Sequence, residues 1–252
     1  MQGHPRAGVE VQQSRKQFWV ISILFTLMVY CGHEALSGAG DPRLGPGIRY
    51  FRVKEKAVAL TFDDGPVDWG TPSVLAVLRK HNVRATFFMI GMEVERNPAL
   101  AKQVAAEGHE IGNHTYLHTR LKGQKAETVE EAVRGGAEAI NRVIGVWPAA
   151  FRGPGAPNKA SAALISAYVD HVVLWSIDST DWRGLSGNAL VNKVVGDIHP
   201  GAIILMHDFS YQGAKNIKAL ETIILKLKAL GYEFKTVSEM ISMEILETGE
   251  GP

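Results

Sequence analysis

Hydrophobic and polar positions in this chain alternate between two kinds of segment. Seven short runs lack helical spacing and have the length of strands, most of them dense in apolar and β-branched residues. They are Ala57 to Leu60, Ala85 to Ile90, His109 to Asn113, Ala149 to Phe151, His171 to Ile177, Ala202 to Met206 and Tyr232 to Val237. Between them, apolar residues recur every three or four positions, as on a helix with one buried face. Thr71-Pro72 reads as an N-cap followed by proline at the first helical position. It opens a helix to Lys80 with Val74, Leu75 and Leu78 inward. Asn97-Pro98 repeats the signal, with Leu100, Ala101, Val104 and Ala105 inward and Gly108 as the stop. Further helices are predicted over 125–144, where Gly135-Gly136 weakens the middle, from Asn158 to about Val169, over 187–198, over 213–230 and from Ser238 onward.

About seven strands separated by helices form an α/β pattern. A (β/α) barrel is its natural closure, and an open doubly wound sheet is the competing arrangement. No glycine-rich phosphate loop follows the first strand, so the usual mark of a nucleotide site is missing. Asp63-Asp64, His114, Arg152, Asp178 with Asp181, and His207 all fall at or just after predicted C-terminal strand ends. In barrels that is the face on which sites are built.

The first strand runs into Thr61-Phe62-Asp63-Asp64-Gly65-Pro66. Two adjacent carboxylates repel unless a cation lies between them or one keeps a proton, so the pair points to a metal site, an acid–base site or both. His114-Thr115-Tyr116-Leu117-His118 places two imidazoles four residues apart, a spacing that puts them on one face if the segment is a helical turn. One carboxylate and two imidazoles leave coordination positions open, as a catalytic metal requires.

Composition narrows the class without changing the fold. The chain has 252 residues, 46% of them hydrophobic, which suffices for one sizeable core. A net charge of +1 with no long charged block gives no reason to expect nucleic acid or a polyanion as partner. The single cysteine, Cys31, excludes an intramolecular disulfide. Arg15 and Lys16 precede an apolar run from Phe18 to Cys31, followed by Ala35-Leu36-Ser37. This is the layout of a signal peptide or signal anchor over residues 1–37, which puts the domain at the cell surface or outside the cell. Residues 38–51 read as a linker and 52–245 as the catalytic domain.

Thr61-Phe62-Asp63-Asp64-Gly65, His114-Thr115-x-x-His118, Phe151-Arg152-x-Pro154, Asp178-x-x-Asp181-Trp182 and Leu205-x-His207-Asp208 resemble, in order, the motifs of polysaccharide deacetylases, carbohydrate esterases of family 4 with the NodB-homology domain. The resemblance spans about residues 52–240. It implies a distorted (β/α) barrel, a divalent metal (zinc first, cobalt or nickel also accepted) and hydrolysis of N-acetyl groups on amino sugars. Asp64, His114 and His118 resemble the metal ligands, Asp63 the general base and Arg152 the residue that positions it. His207 resembles the general acid and Asp181 its orienting partner, while Asp178 shapes the loop. Trp182 and Leu205 resemble the walls that receive the acetyl methyl. The family pattern usually reads Arg-x-Pro-Tyr-Gly, with the tyrosine N–H in the oxyanion hole; here the run is Arg152-Gly153-Pro154-Gly155-Ala156, so Gly155 takes that place beside Pro154. The expected partner is an N-acetylated polysaccharide, with peptidoglycan preferred. The membrane is met only through the N-terminal segment, and a monomer is expected. Another metal-dependent amide hydrolase and a non-catalytic carbohydrate-binding relative are the alternative readings.

Overall fold

The computed structural model describes residues 47–208 and 214–252. The predicted signal segment and most of the predicted linker lie outside them; the linker's last residues include Ile48 and Phe51, both buried in the core. Among the described residues no helix is long and apolar enough to cross a membrane.

The chain alternates strand and helix. In order it forms β1 (Ala57–Asp63), α1 (Thr71–Lys80), β2 (Thr86–Met89), α2 (Gly91–Arg96), α3 (Pro98–Ala106), β3 (Glu110–Asn113), α4 (Ala126–Ile144) and β4 (Ala150–Phe151). There follow α5 (Lys159–Ile165), β5 (His171–Val172), β6 (Ile177–Asp178), α6 (Gly187–Gly196), β7 (Ile203–His207), α7 (Ala214–Ala229), β8 (Glu233–Lys235) and α8 (Val237–Thr248). Every strand pair is parallel. The order is β5-β4-β3-β2-β1-β7-β6, with the first residues of β1 also pairing with β8. This is the circular order of a (β/α) barrel cut at one seam, between β5 and β6. A doubly wound sheet would instead reverse direction about its first strand.

The seam lies where a single strand, His171 to Ile177, was expected. The structure breaks it in two because the carbonyls of Val173 and Leu174 accept hydrogen bonds from the Arg152 guanidinium, at 3.3 and 2.8 Å. Ile48 fills part of the gap through a parallel bridge to Val173. β1 is buried at every position, as a central strand covered on both faces must be.

Helix starts follow local chemistry, with two corrections. Asn158 caps α5 through a capping box with Ser161, and Thr236 does the same for α8 with Glu239. Gly70, not Thr71, stands at the N-cap of α1. Thr71 is already helical, and its hydroxyl is used elsewhere. The helix α2 was not foreseen. Its first N–H groups donate to the carbonyls of Thr115 and Tyr116, partners 24 residues away in sequence that no local pattern displays. On α4, Val129, Val133 and Ile140 are fully buried, each worth about 1.5–3 kcal/mol. Gly136 on the same helix is a point of contact. A Cβ there would lie 2.2 Å from Asn113 Oδ1, so only glycine lets α4 approach the end of β3.

Candidate active site

The last residue of β1, Asp63, is level with His207 on β7 and Phe88 on β2. Arg152 follows β4 and is wholly buried. Its Nη1 donates to Asp63 Oδ1 at 2.9 Å and to Thr61 Oγ1 at 2.7 Å; Nη2 and Nε reach the two carbonyls at the seam. The guanidinium lies 4.2 Å from the centre of the Phe88 ring. Burial lowers its pKa, and the Asp63 charge opposes that; an arginine remains cationic throughout. Asp63 is therefore held by a rigid, well-satisfied cation.

Asp64 is different. Its backbone is left-handed, φ 82°, and so are Thr115 at 67° and His118 at 57°. Such conformations cost a non-glycine residue about 1–3 kcal/mol, and these turn the two ligand-bearing segments toward one point. The His114–His118 segment is an irregular loop and not the helical turn expected from its spacing. Asn113 shapes it, its side chain accepting from the Thr115 N–H at 2.9 Å and donating to the Val133 carbonyl at 2.8 Å.

Asp64 Oδ1 lies 3.2 Å from His114 Nε2 and 3.1 Å from His118 Nε2, yet it is buried and accepts no well-aligned hydrogen bond. His114 Nδ1 is 2.5 Å from the Arg152 carbonyl, which can only accept, so Nδ1 carries a proton and Nε2 is the ring nitrogen turned toward Asp64. Once Nε2 of each ring gives up its proton, three ligand atoms with lone pairs meet at a common point, as a divalent cation requires. Among the described residues, Asp64, His114 and His118 form the one cluster whose ligand atoms fit a metal ion. Burial opposes ionisation of Asp64, but hydrogen bonds from His114 and His118 in their protonated form, with the His114 and His207 charges, outweigh it and hold the carboxyl well below the usual carboxylate range; a cation bound there replaces those protons.

On the other side of β1, His207 Nδ1 is 2.8 Å from Asp181 Oδ1, and the His207 backbone N–H donates to Asp181 Oδ2 at 2.9 Å. Asp181 opens a 3-10 turn, Asp181–Arg183, after Thr180 in a left-handed conformation. Burial disfavours the His207 imidazolium, but the Asp181 bond and the charges of Asp181, Asp63 and Asp64 raise its pKa to about 9. Asp178 accepts from the Thr180 N–H at 2.7 Å and from the Trp182 indole N–H at 3.3 Å, so it shapes this turn and orients the Trp182 ring. Trp182 is 47% exposed, open for contact with a ligand. Leu205, two residues before His207, shares its face of β7 and is buried. Pro154 is buried and Gly155 exposed, in the loop that leaves Arg152.

Three participants escaped sequence reasoning. Thr61 links Arg152 to β7, donating to the Ile204 carbonyl at 2.7 Å. Thr71 Oγ1 donates to Asp208 Oδ2 at 2.6 Å. Asp208 is buried, with Oδ1 lacking a hydrogen-bond partner. Burial, against the Thr71 bond, pushes its carboxyl up to about 7. Its place directly after His207 was the available signal, but burial is a tertiary property.

The sequence model described as Polysaccharide deacetylase matches residues 52–172. A peptidoglycan-N-acetylglucosamine deacetylase of Bacillus cereus is 41% identical over 74% of this chain and 89% of its own length. The chain belongs to the polysaccharide deacetylase family. The peptidoglycan-N-acetylglucosamine deacetylase PgdA of Listeria monocytogenes is 39% identical over 77% of this chain, but the match spans only 41% of that longer protein. Among solved structures, the Bc1960 peptidoglycan N-acetylglucosamine deacetylase superposes with a TM-score of 0.71 at 36% identity, over 76% of this chain and 91% of that one. A CE4 family pseudoenzyme from Bacillus anthracis shares the fold with a TM-score of 0.70 at 30% identity, over 77% of this chain and 68% of that one.

Proposed function

We propose that the protein is a metal-dependent hydrolase that removes N-acetyl groups from amino sugars of an extracellular polysaccharide, with peptidoglycan N-acetylglucosamine as substrate. The observation that carries this reading is the convergence, on one strand-end face, of a one-carboxylate, two-imidazole cluster, a fixed carboxylate and a carboxylate-paired imidazole.

Asp64, His114 and His118 hold the divalent cation, which supplies Lewis-acid polarisation of an amide carbonyl and makes water a better nucleophile near neutral pH. Asp63, fixed by Arg152, takes the proton of the attacking water. His207, kept as imidazolium by Asp181, gives a proton to the amide nitrogen as the C–N bond breaks, so that acetate and a free amine leave. The backbone N–H of Gly155 faces the developing oxyanion, while Trp182, Leu205 and Pro154 enclose the acetyl group. Peptidoglycan as polymer and a location outside the cytoplasm follow the relatives' substrates and the predicted export segment.

A second reading, a relative without turnover, draws on the kinship with a pseudoenzyme. The complete set of Asp63, Asp64, His114, His118, Asp181 and His207 favours catalysis. Incubating the protein with zinc and an N-acetylglucosamine oligomer or peptidoglycan should release acetate, and Asp63→Asn should release it on the order of 10²–10⁴-fold more slowly. Bound metal without acetate from either polymer would overturn the deacetylase reading. Faster release from soluble chitin oligomers than from peptidoglycan would overturn the choice of polymer.

A further inference from the structure

Asp208 is buried, sits beside the site and has no part in the chemistry above. An acid with one unpartnered oxygen in the interior is destabilising unless what it holds offsets the cost. Its contacts say what it holds. A Cβ on Gly65 would lie 1.8 Å from Asp208 Oδ2 and 2.7 Å from Oδ1, so the carboxyl lies flat on the Gly65 backbone. Thr71 Oγ1 donates to Oδ2 at 2.6 Å and itself accepts from the Val67 N–H at 2.8 Å. The Asp208 N–H points to the Asp63 carbonyl at 3.4 Å. Asp208 thus holds the turn on both sides of Asp64, its backbone N–H at Asp63 and its carboxyl at Gly65 and, through Thr71, at Val67, against the relaxation of the Asp64 φ of 82° that the chain would otherwise undergo.

We infer that Asp208 is a positioning residue for metal binding: with Thr71 it clamps the Asp63–Val67 turn, so that Asp64 stays left-handed and its Oδ1 faces His114 and His118. This rests on the metal reading of the site. The clamp acts through shape and one hydrogen bond, which the amide of Asn reproduces and Ala does not. Thr71→Val keeps the volume of Thr71 but removes the hydroxyl that fixes the carboxyl.

The test is equilibrium dialysis of the metal-free protein against zinc alone, for the parent, Asp208→Asn, Asp208→Ala and Thr71→Val, with circular dichroism confirming that each is folded. Asp208→Ala and Thr71→Val are expected to raise the zinc Kd by about 10–100-fold, the usual effect of removing a group that orients a ligand, while Asp208→Asn stays near the parent. Parent-like zinc affinity in folded Asp208→Ala and Thr71→Val would overturn the proposal, and so would an Asp208→Asn as weak as Asp208→Ala. A parent that binds no zinc would instead overturn the metal reading itself.

Discussion

Asp63 and Asp64 are neighbours in the chain and opposites in environment. Asp63 is answered by a wholly buried guanidinium that also finds a hydroxyl and two carbonyls. Asp64 meets only imidazole nitrogens, and its buried Oδ1 has no hydrogen bond. The comparison separates two uses of a carboxylate at a strand end. One whose charge is matched by an arginine inside the protein is a fixed part ready to act on a ligand, whereas one facing only imidazole nitrogens is left to be answered by protons or by a cation from outside.

The comparison can be broken most forcefully at the two carboxylates. Asp64→Ala should abolish zinc binding and bring acetate release to background, read by dialysis and acetate assay. Asp63→Asn should keep the metal yet lose kcat by on the order of 10²–10⁴-fold, the share of a general base. If Asp63→Asn lost the metal as well, the division of labour between them would fail.

Stability sharpens the same contrast. Arg152→Met strands Asp63 and should cost about 3–5 kcal/mol in denaturant unfolding of the metal-free protein. Asp64→Asn should cost less there, since a neutral amide strands no unpaired charge in the interior.

His207 extends the test to pH. Its folded-state pKa is raised to about 9 from 6.5, so the imidazolium is present below that value and lost above it. The kcat/KM profile of the parent should fall on the alkaline side as the imidazolium is lost, and Asp181→Asn should move that limb to lower pH. The same shift adds stability that is fully present below about pH 6.5 and disappears as pH rises through 9. An unmoved limb in Asp181→Asn would remove His207 from the acid's role. The smallest effect is the control: Arg134→Ala, which breaks the exposed pair with Glu130, should change stability by less than about 1 kcal/mol.

Much of this was legible in sequence because the signals are local. Strand and helix order, the Asn158 cap and the strand-end positions of Asp63, Asp64, His114, Arg152, Asp181 and His207 follow from periodicity and residue type. Their arrival at one end of a parallel sheet follows from the βα repeat. What was not legible depended on groups distant in the chain. Thr71 has the residue type of a cap, but Asp208, 137 residues away, takes its hydroxyl. The two histidines have helical spacing, but Asn113 and the close approach of Gly136 hold them in an irregular loop. The run 171–177 has the composition of one strand, but Arg152 claims its central carbonyls.

The sequence by itself determined which chemical groups this protein has and at which strand ends they emerge, because hydrophobic period and turn chemistry act over a few residues. Tertiary structure alone decided the seam in the barrel, the left-handed turns and the burial of Arg152 and Asp208. These depend on polar groups far apart in the chain satisfying one another where water cannot.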